Sequence, residues 1–107
     1  MPFDLLTVAL SLPRLLRRPL EKIARRDPDL ARQCRRALTS IPLNVAEGSY
    51  RTGRDRAHSY RIALGSAAEV TAGLEVAAGF GYVDHPEVAE GLAALDRVRA
   101  MGWRQSR

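Results

Sequence analysis

Residues 40–50 read "SIPLNVAEGSY", a proline and a glycine enclosing a helix-compatible core that carries Asn44 and Glu47. A turn at Pro42 would reset the hydrophobic period. Instead Leu30, Cys34, Leu38, Ile41 and Val45 recur at three- and four-residue steps and pass Pro42 without a change of phase. The stretch is therefore predicted to be a helix that accommodates a proline and ends near Gly48. The following "GSYRTG", with two glycines among small polar residues, reads as a connection. Asn44 and Glu47, three residues apart, share a helix face beside Ile41 and Val45. They are predicted to point inward.

The same spacing recurs outward from this stretch, and no β-branched run alternates at period two. Upstream, Leu5, Val8, Leu12, Leu15, Leu16, Leu20 and Ile23 form a stripe between Phe3 and Arg26. Pro13 and Pro19 lie inside it. Each removes an amide donor and crowds the preceding turn, so a bent helix or two short ones are expected. Asp27-Pro28 reads as a helix start, aspartate capping and proline in the first turn. Downstream, Thr52 or Asp55 can cap a helix whose face is Tyr60, Leu64, Ala67, Thr71, Leu74 and Ala78, a spacing suited to a bundle seam. Gly65, Ser66, Ala67, Ala68, Gly73 and Ala77 make it slim. "GFGYV" (79–83) ends it, with Gly79 or Gly81 as the left-handed cap. Val88, Leu92, Leu95, Val98 and Met101 form the last stripe. The predicted fold is all-α, one domain over 1–107: an antiparallel up-down-up-down four-helix bundle with helices at about 3–26, 28–49, 54–79 and 86–102.

Composition agrees with a folded globular chain: of 107 residues 46% are apolar and 27% charged. The single Cys34 excludes an internal disulfide and fits a reducing compartment. No basic segment precedes the first apolar run, which Pro13 and Arg14 interrupt, so neither a signal peptide nor a membrane span is expected, and a cytoplasmic location is. The net charge is +5, and all but one of the 17 basic side chains are arginine. The excess is N-terminal: residues 1–40 carry nine basic side chains against four acids, residues 66–107 four against six. Arginine forks phosphate bidentately, which makes nucleic acid the first partner to weigh; a genome that writes arginine for lysine is the plainer cause.

Chemistry is sparse. His58 and His85 have no ligand partner three or four residues away and Cys34 stands alone, so no metal site is expected. No phosphate loop or dinucleotide fingerprint follows a strand. A Cys34–His58 nucleophile pair requires the fold to join them, and Cys34 sits on the apolar stripe as a structural thiol does. No cofactor is implied, and no enzymatic activity is expected.

"SIPLNVAEGSYR", "YRIALGSAAE" and "GFGYV", in that order and spacing, resemble the small four-helix-bundle proteins encoded in intervening sequences of bacterial 23S ribosomal RNA genes. That family includes the accessory variability determinant (Avd) of diversity-generating retroelements. The resemblance covers about residues 20–83. One family motif falls on Ser40, Ile41, Asn44, Val45, Ala46, Glu47 and Gly48, and a second on Ile62, Ala63, Gly65, Ser66 and Glu69. Pro42 matches a position where proline is common within a continuing helix. The resemblance implies a ring or barrel-like homo-oligomer, usually a pentamer, with no established catalytic activity. In the retroelement branch it implies a basic partner for a reverse transcriptase and its RNA. The chain departs from the family at Pro13 and Pro19, where most relatives have one long helix.

An antiparallel hairpin sets Asn44 and Glu47 at the height of Ser66 and Glu69. Buried, they need partners, for which Ser40, Ser66, Arg36 and Arg61 are candidates. Ser40, Asn44, Glu47, Arg61, Ser66 and Glu69 are thus expected to form a structural network that fixes register; an acid/base pair of Glu47 and Glu69 is the catalytic alternative. Arg17, Arg18, Arg25, Arg26, Arg32, Arg35 and Arg36 are expected to make one basic band on two helices. Tyr50 with Arg51, Arg54 and Arg56 forms a second candidate, a base-stacking ring beside phosphate-binding arginines. The bland alternative is a solvated face pairing with Asp27, Asp29 and Asp55. The leading reading is a non-enzymatic oligomer that binds RNA or DNA backbones; the other is a scaffold whose partner is a protein.

Overall fold

Two prolines inside one apolar stripe pose the first question that the computed structural model, which describes residues 4–106, answers. Helix α1 runs unbroken from Leu5 to Arg26 through both Pro13 and Pro19. The expectation of two short helices is thereby corrected. An interior proline costs a helix about 3 kcal/mol. Against that, Leu5, Val8, Leu12, Leu16, Leu20 and Ile23 are all buried, each contributing roughly 1.5–3 kcal/mol. Packing outweighs both defects, and the apparent departure from the family's long first helix disappears. Phe3, where the helix was expected to start, lies outside the described residues. Asp4 caps α1 instead, its side chain accepting the Thr7 N–H at 2.8 Å.

Asp27 alone joins α1 to α2 (Pro28–Ser49). Its N–H donates to the Ile23 carbonyl at 2.7 Å, closing α1. Its carboxylate accepts the Leu30 N–H at 3.1 Å, opening α2 as its sequence position predicts. Of the expected α2 stripe Cys34, Leu38, Ile41 and Val45 are buried, Leu30 is half-buried with Ala31 buried beside it, and Pro42 is buried within the unbroken helix. Helix α3 (Gly53–Gly79) follows; Thr52 occupies its cap position without a side-chain bond, and Gly53 takes φ +56°. At the far end Tyr82 N–H reaches the Ala77 carbonyl (2.9 Å) and Gly81 N–H the Ala78 carbonyl (3.0 Å), with Gly81 at φ +78°. This is a Schellman ending, and it assigns the left-handed cap to Gly81 rather than Gly79. Helix α4 (His85–Ser106) extends beyond the expected residue 102.

The chain is an up-down-up-down four-helix bundle: α1 packs on α2, α2 on α3, α3 on α4, and α4 back on α1. Helices α2 and α3 approach most closely where glycine permits. A Cβ on Gly48 would sit 2.6 Å from the Tyr60 ring, and one on Gly73 would overlap the Cys34 sulfur. By length and composition α3 is apolar enough to cross a membrane, the only such helix among the described residues, and it packs between α2 and α4.

Candidate nucleic-acid interface

The sequence that packs the bundle also decides where its arginines point. Successive helical residues are about 100° apart, so one helix cannot send neighbouring arginines to the same side. Arg17 and Arg35 line a groove of about 300 Å³ between α1 and α2, floored by Pro13, Leu20, Leu38 and Thr39. Arg18 and Arg25 instead line a groove of about 450 Å³ with Lys22 and Glu87, between α1 and α4. The expected single band is therefore two basic edges flanking α1. Arg32 and Arg36 are exposed on α2, Arg32 paired with Asp29. Lys22 is clasped by Glu87 at 2.9 Å, tying α1 to α4.

Among the described residues Arg17, Arg18, Arg25, Arg35, Arg36 and Arg54 make no ion pair. Of the acids named as local partners, Asp29 pairs with Arg32, while Asp27 is engaged at its helix cap. Tyr50 is 91% exposed at the end of α2. Its neighbour Arg51 folds back onto Glu47 at 2.8 Å, Arg54 faces solvent, and Arg56 is half-buried with its guanidinium 5.5 Å from the Tyr60 ring centre. The Tyr50 cluster is therefore smaller than its sequence suggests, with Arg54 its unpaired cation.

A second aromatic cluster went unforeseen. Where α3 meets α4, Phe80 stacks on Tyr82, centroids 5.4 Å apart and planes at 22°. The Arg26 guanidinium, from the end of α1, lies 5.4 Å from the Tyr82 ring centre. Phe80 and Tyr82 stand in "GFGYV", which reads locally as a helix stop; only the topology, which puts both interhelix turns at one end, brings Arg26 to them.

The polar patch is likewise narrower than expected. Ser66 Oγ donates to Ser40 Oγ at 2.8 Å, and Asn44 Nδ2 donates to Ser40 Oγ (3.0 Å) and to the Ser40 carbonyl (2.9 Å). Three small side chains thus span the α2–α3 interface. Glu47, three residues beyond Asn44, is turned a further 60° from the buried stripe; it is exposed and bonds Arg51. Glu69 is exposed, and Arg61 reaches the Ser106 carbonyl at 3.4 Å. These three lie outside the Ser40–Asn44–Ser66 clasp, because carboxylates and guanidinium avoid desolvation by facing water. Glu47 and Glu69 form no buried acid/base pair.

Cys34 is buried against Gly73, whereas exposed His58 lies roughly 20 Å further along α3 at about 1.5 Å rise per residue. The two do not meet. Burial, with the Glu69 charge adding to it, pushes the Cys34 thiol above its ordinary value, the opposite of an activated nucleophile. His85 Nε2 lies 3.1 Å from Glu75. Among the described residues no three His, Cys, Asp or Glu side chains gather as metal ligands.

Four antiparallel helices, a polar clasp between the middle pair and basic edges beside α1 define a small all-α bundle protein. Residues 16–103 match the family model of the 23S rRNA-intervening sequence protein, and the chain belongs to that family. No curated protein and no solved structure matches it.

Proposed function

We propose that this chain is a non-enzymatic, cytoplasmic protein that binds RNA or DNA through the phosphate backbone. The observation that carries the reading is the set of outward arginines, Arg17, Arg18, Arg25, Arg35, Arg36 and Arg54, which make no ion pair among the described residues. Solvated arginine forks without carboxylate partners are suited to phosphate oxygens. Their distribution over two helix edges and a turn favours contact with an extended backbone over a single specific pocket.

Self-association belongs to the same proposal. Ile62, Gly65, Ala68, Ala72, Val76 and Gly79 are exposed along α3, a slim face, with Arg61 and Glu69 as its charges, that supports close approach by a second copy. A pentameric ring, as the family resemblance implies, would repeat the basic edges around its circumference. In a retroelement setting the partner would be a reverse transcriptase with its RNA. Gel shift at low and high salt tests the proposal: a complex with a generic RNA should form at low salt and dissolve as salt rises. Absence of any complex at low salt would remove the nucleic-acid reading.

A protein-binding scaffold is the second reading, favoured by one observation. Leu10 and Leu43 are 57% and 63% exposed, one turn from Pro13 and Thr39 of the α1–α2 groove. Apolar contact with a partner would be insensitive to salt, which separates the two readings in the same experiment.

A further inference from the structure

Phe80 is 66% exposed although it stacks on Tyr82, so most of the ring is open to solvent beside a cation-bearing aromatic. Arg26 holds Tyr82 from α1 at 5.4 Å, which anchors the pair across the bundle end. The groove between α1 and α4 carries Arg25 and Arg18, neither of them in an ion pair among the described residues, together with Glu21 and the Lys22–Glu87 pair. Glu87 lines that groove and accepts the Asp84 N–H at 2.6 Å, so the groove borders the connection that presents Tyr82. An open aromatic ring near unpaired arginines is the arrangement that holds a base and its phosphates together.

We infer that Phe80, supported by Tyr82 and Arg26, is a stacking platform for an unpaired nucleobase, with Arg25 and Arg18 receiving the flanking phosphates. The inference rests on the nucleic-acid reading above and deepens it by naming single-stranded nucleic acid as the ligand class. Bases inside a duplex are already stacked and offer no free face to Phe80, whereas backbone contacts are available on either form. The surrounding charge favours a nucleotide over an apolar protein segment, since Arg26 lies against Tyr82 and Arg25 and Arg18 line the groove at that side of the bundle, where Glu21 is the one carboxylate without an ion pair among the described residues. Phe80 itself occupies an ordinary right-handed conformation at the end of α3, φ −80° and ψ −5°, so its side chain can be changed without straining the fold.

The test compares wild type, Phe80→Ala and Phe80→Trp by fluorescence anisotropy at low salt, on a labelled oligothymidylate of roughly 12 nucleotides and on a duplex of equal length. Phe80→Ala should weaken single-strand binding roughly ten-fold and leave duplex binding within about two-fold, while Phe80→Trp restores it. Unchanged single-strand binding in Phe80→Ala, or equal losses on both ligands, would overturn the platform while leaving backbone binding standing. A change in native mass on Phe80→Ala would assign the ring to contact between protein copies instead, and also overturn it. If wild type binds neither ligand, the backbone reading and the platform fall together.

Discussion

Ser66 Oγ donates to Ser40 Oγ across the α2–α3 interface at 2.8 Å, and Asn44 completes the contact from one turn further along α2. Ser40 is the shared acceptor, so removing it leaves two donors without their side-chain partner. Ser40→Ala should destabilise the fold by about 1–2 kcal/mol, and Ser66→Ala by about 1 kcal/mol or less. Glu47→Ala, whose carboxylate meets only exposed Arg51, should fall within about 0.5 kcal/mol of wild type. Urea midpoints of the three variants check the ranking, and a Glu47→Ala loss exceeding that of Ser40→Ala would contradict it.

Gly73 and Cys34 form a complementary steric pair, since a Cβ on Gly73 overlaps the thiol sulfur. Gly73→Ala should cost about 1–3 kcal/mol by overpacking. Combining it with Cys34→Ala should recover part of that loss, giving a non-additive double-mutant cycle in thermal unfolding.

The same thiol makes a pH prediction. Burial raises the Cys34 pKa above its ordinary value of 9.0 in the folded state, so the unfolded chain releases this proton first. The Cys34 contribution to stability is complete below pH 9.0 and is lost as pH rises through the higher folded value. Wild type should lose stability faster than Cys34→Ala on titration above pH 9, read as the difference between their denaturation midpoints. Parallel curves would contradict the assignment.

Pro13 is exposed while Pro19 is buried, though both interrupt the α1 hydrogen-bond ladder. Pro13→Ala restores a donor and removes ring crowding without opening a cavity, and should raise stability by about 1 kcal/mol or more. Pro19→Ala should gain less, because it also empties packed volume. Thermal melts of both variants give the comparison.

Much of the fold is legible in the sequence because each helix carries its own uninterrupted stripe. The phase that runs through Pro42 correctly marks α2 as continuous, and Asp27-Pro28 marks the first connection to the residue. Local rules fail where tertiary burial decides: α1 survives two prolines because its leucines are packed against both α2 and α4, a sum no single residue displays. Glu47 shares a face with Asn44 in the sequence pattern, yet the extra 60° is enough to let its charge stay in water. Arg17 and Arg18 are adjacent in the chain but serve opposite edges of α1. The Phe80–Tyr82–Arg26 cluster joins the end of α1 to the end of α3, a contact that periodicity within either helix cannot reveal.

Salt dependence of RNA binding tests the central claim most directly. Each phosphate contact on a single strand contributes about −0.7 to the slope of log Kobs against log salt. Wild type should therefore show a steep negative slope. The Arg17→Gln/Arg35→Gln double variant, which clears both cations from the α1–α2 groove, should bind more weakly with a slope shallower by roughly one to two. Binding that is unaffected by salt, or a double variant with the wild-type slope and affinity, would contradict it.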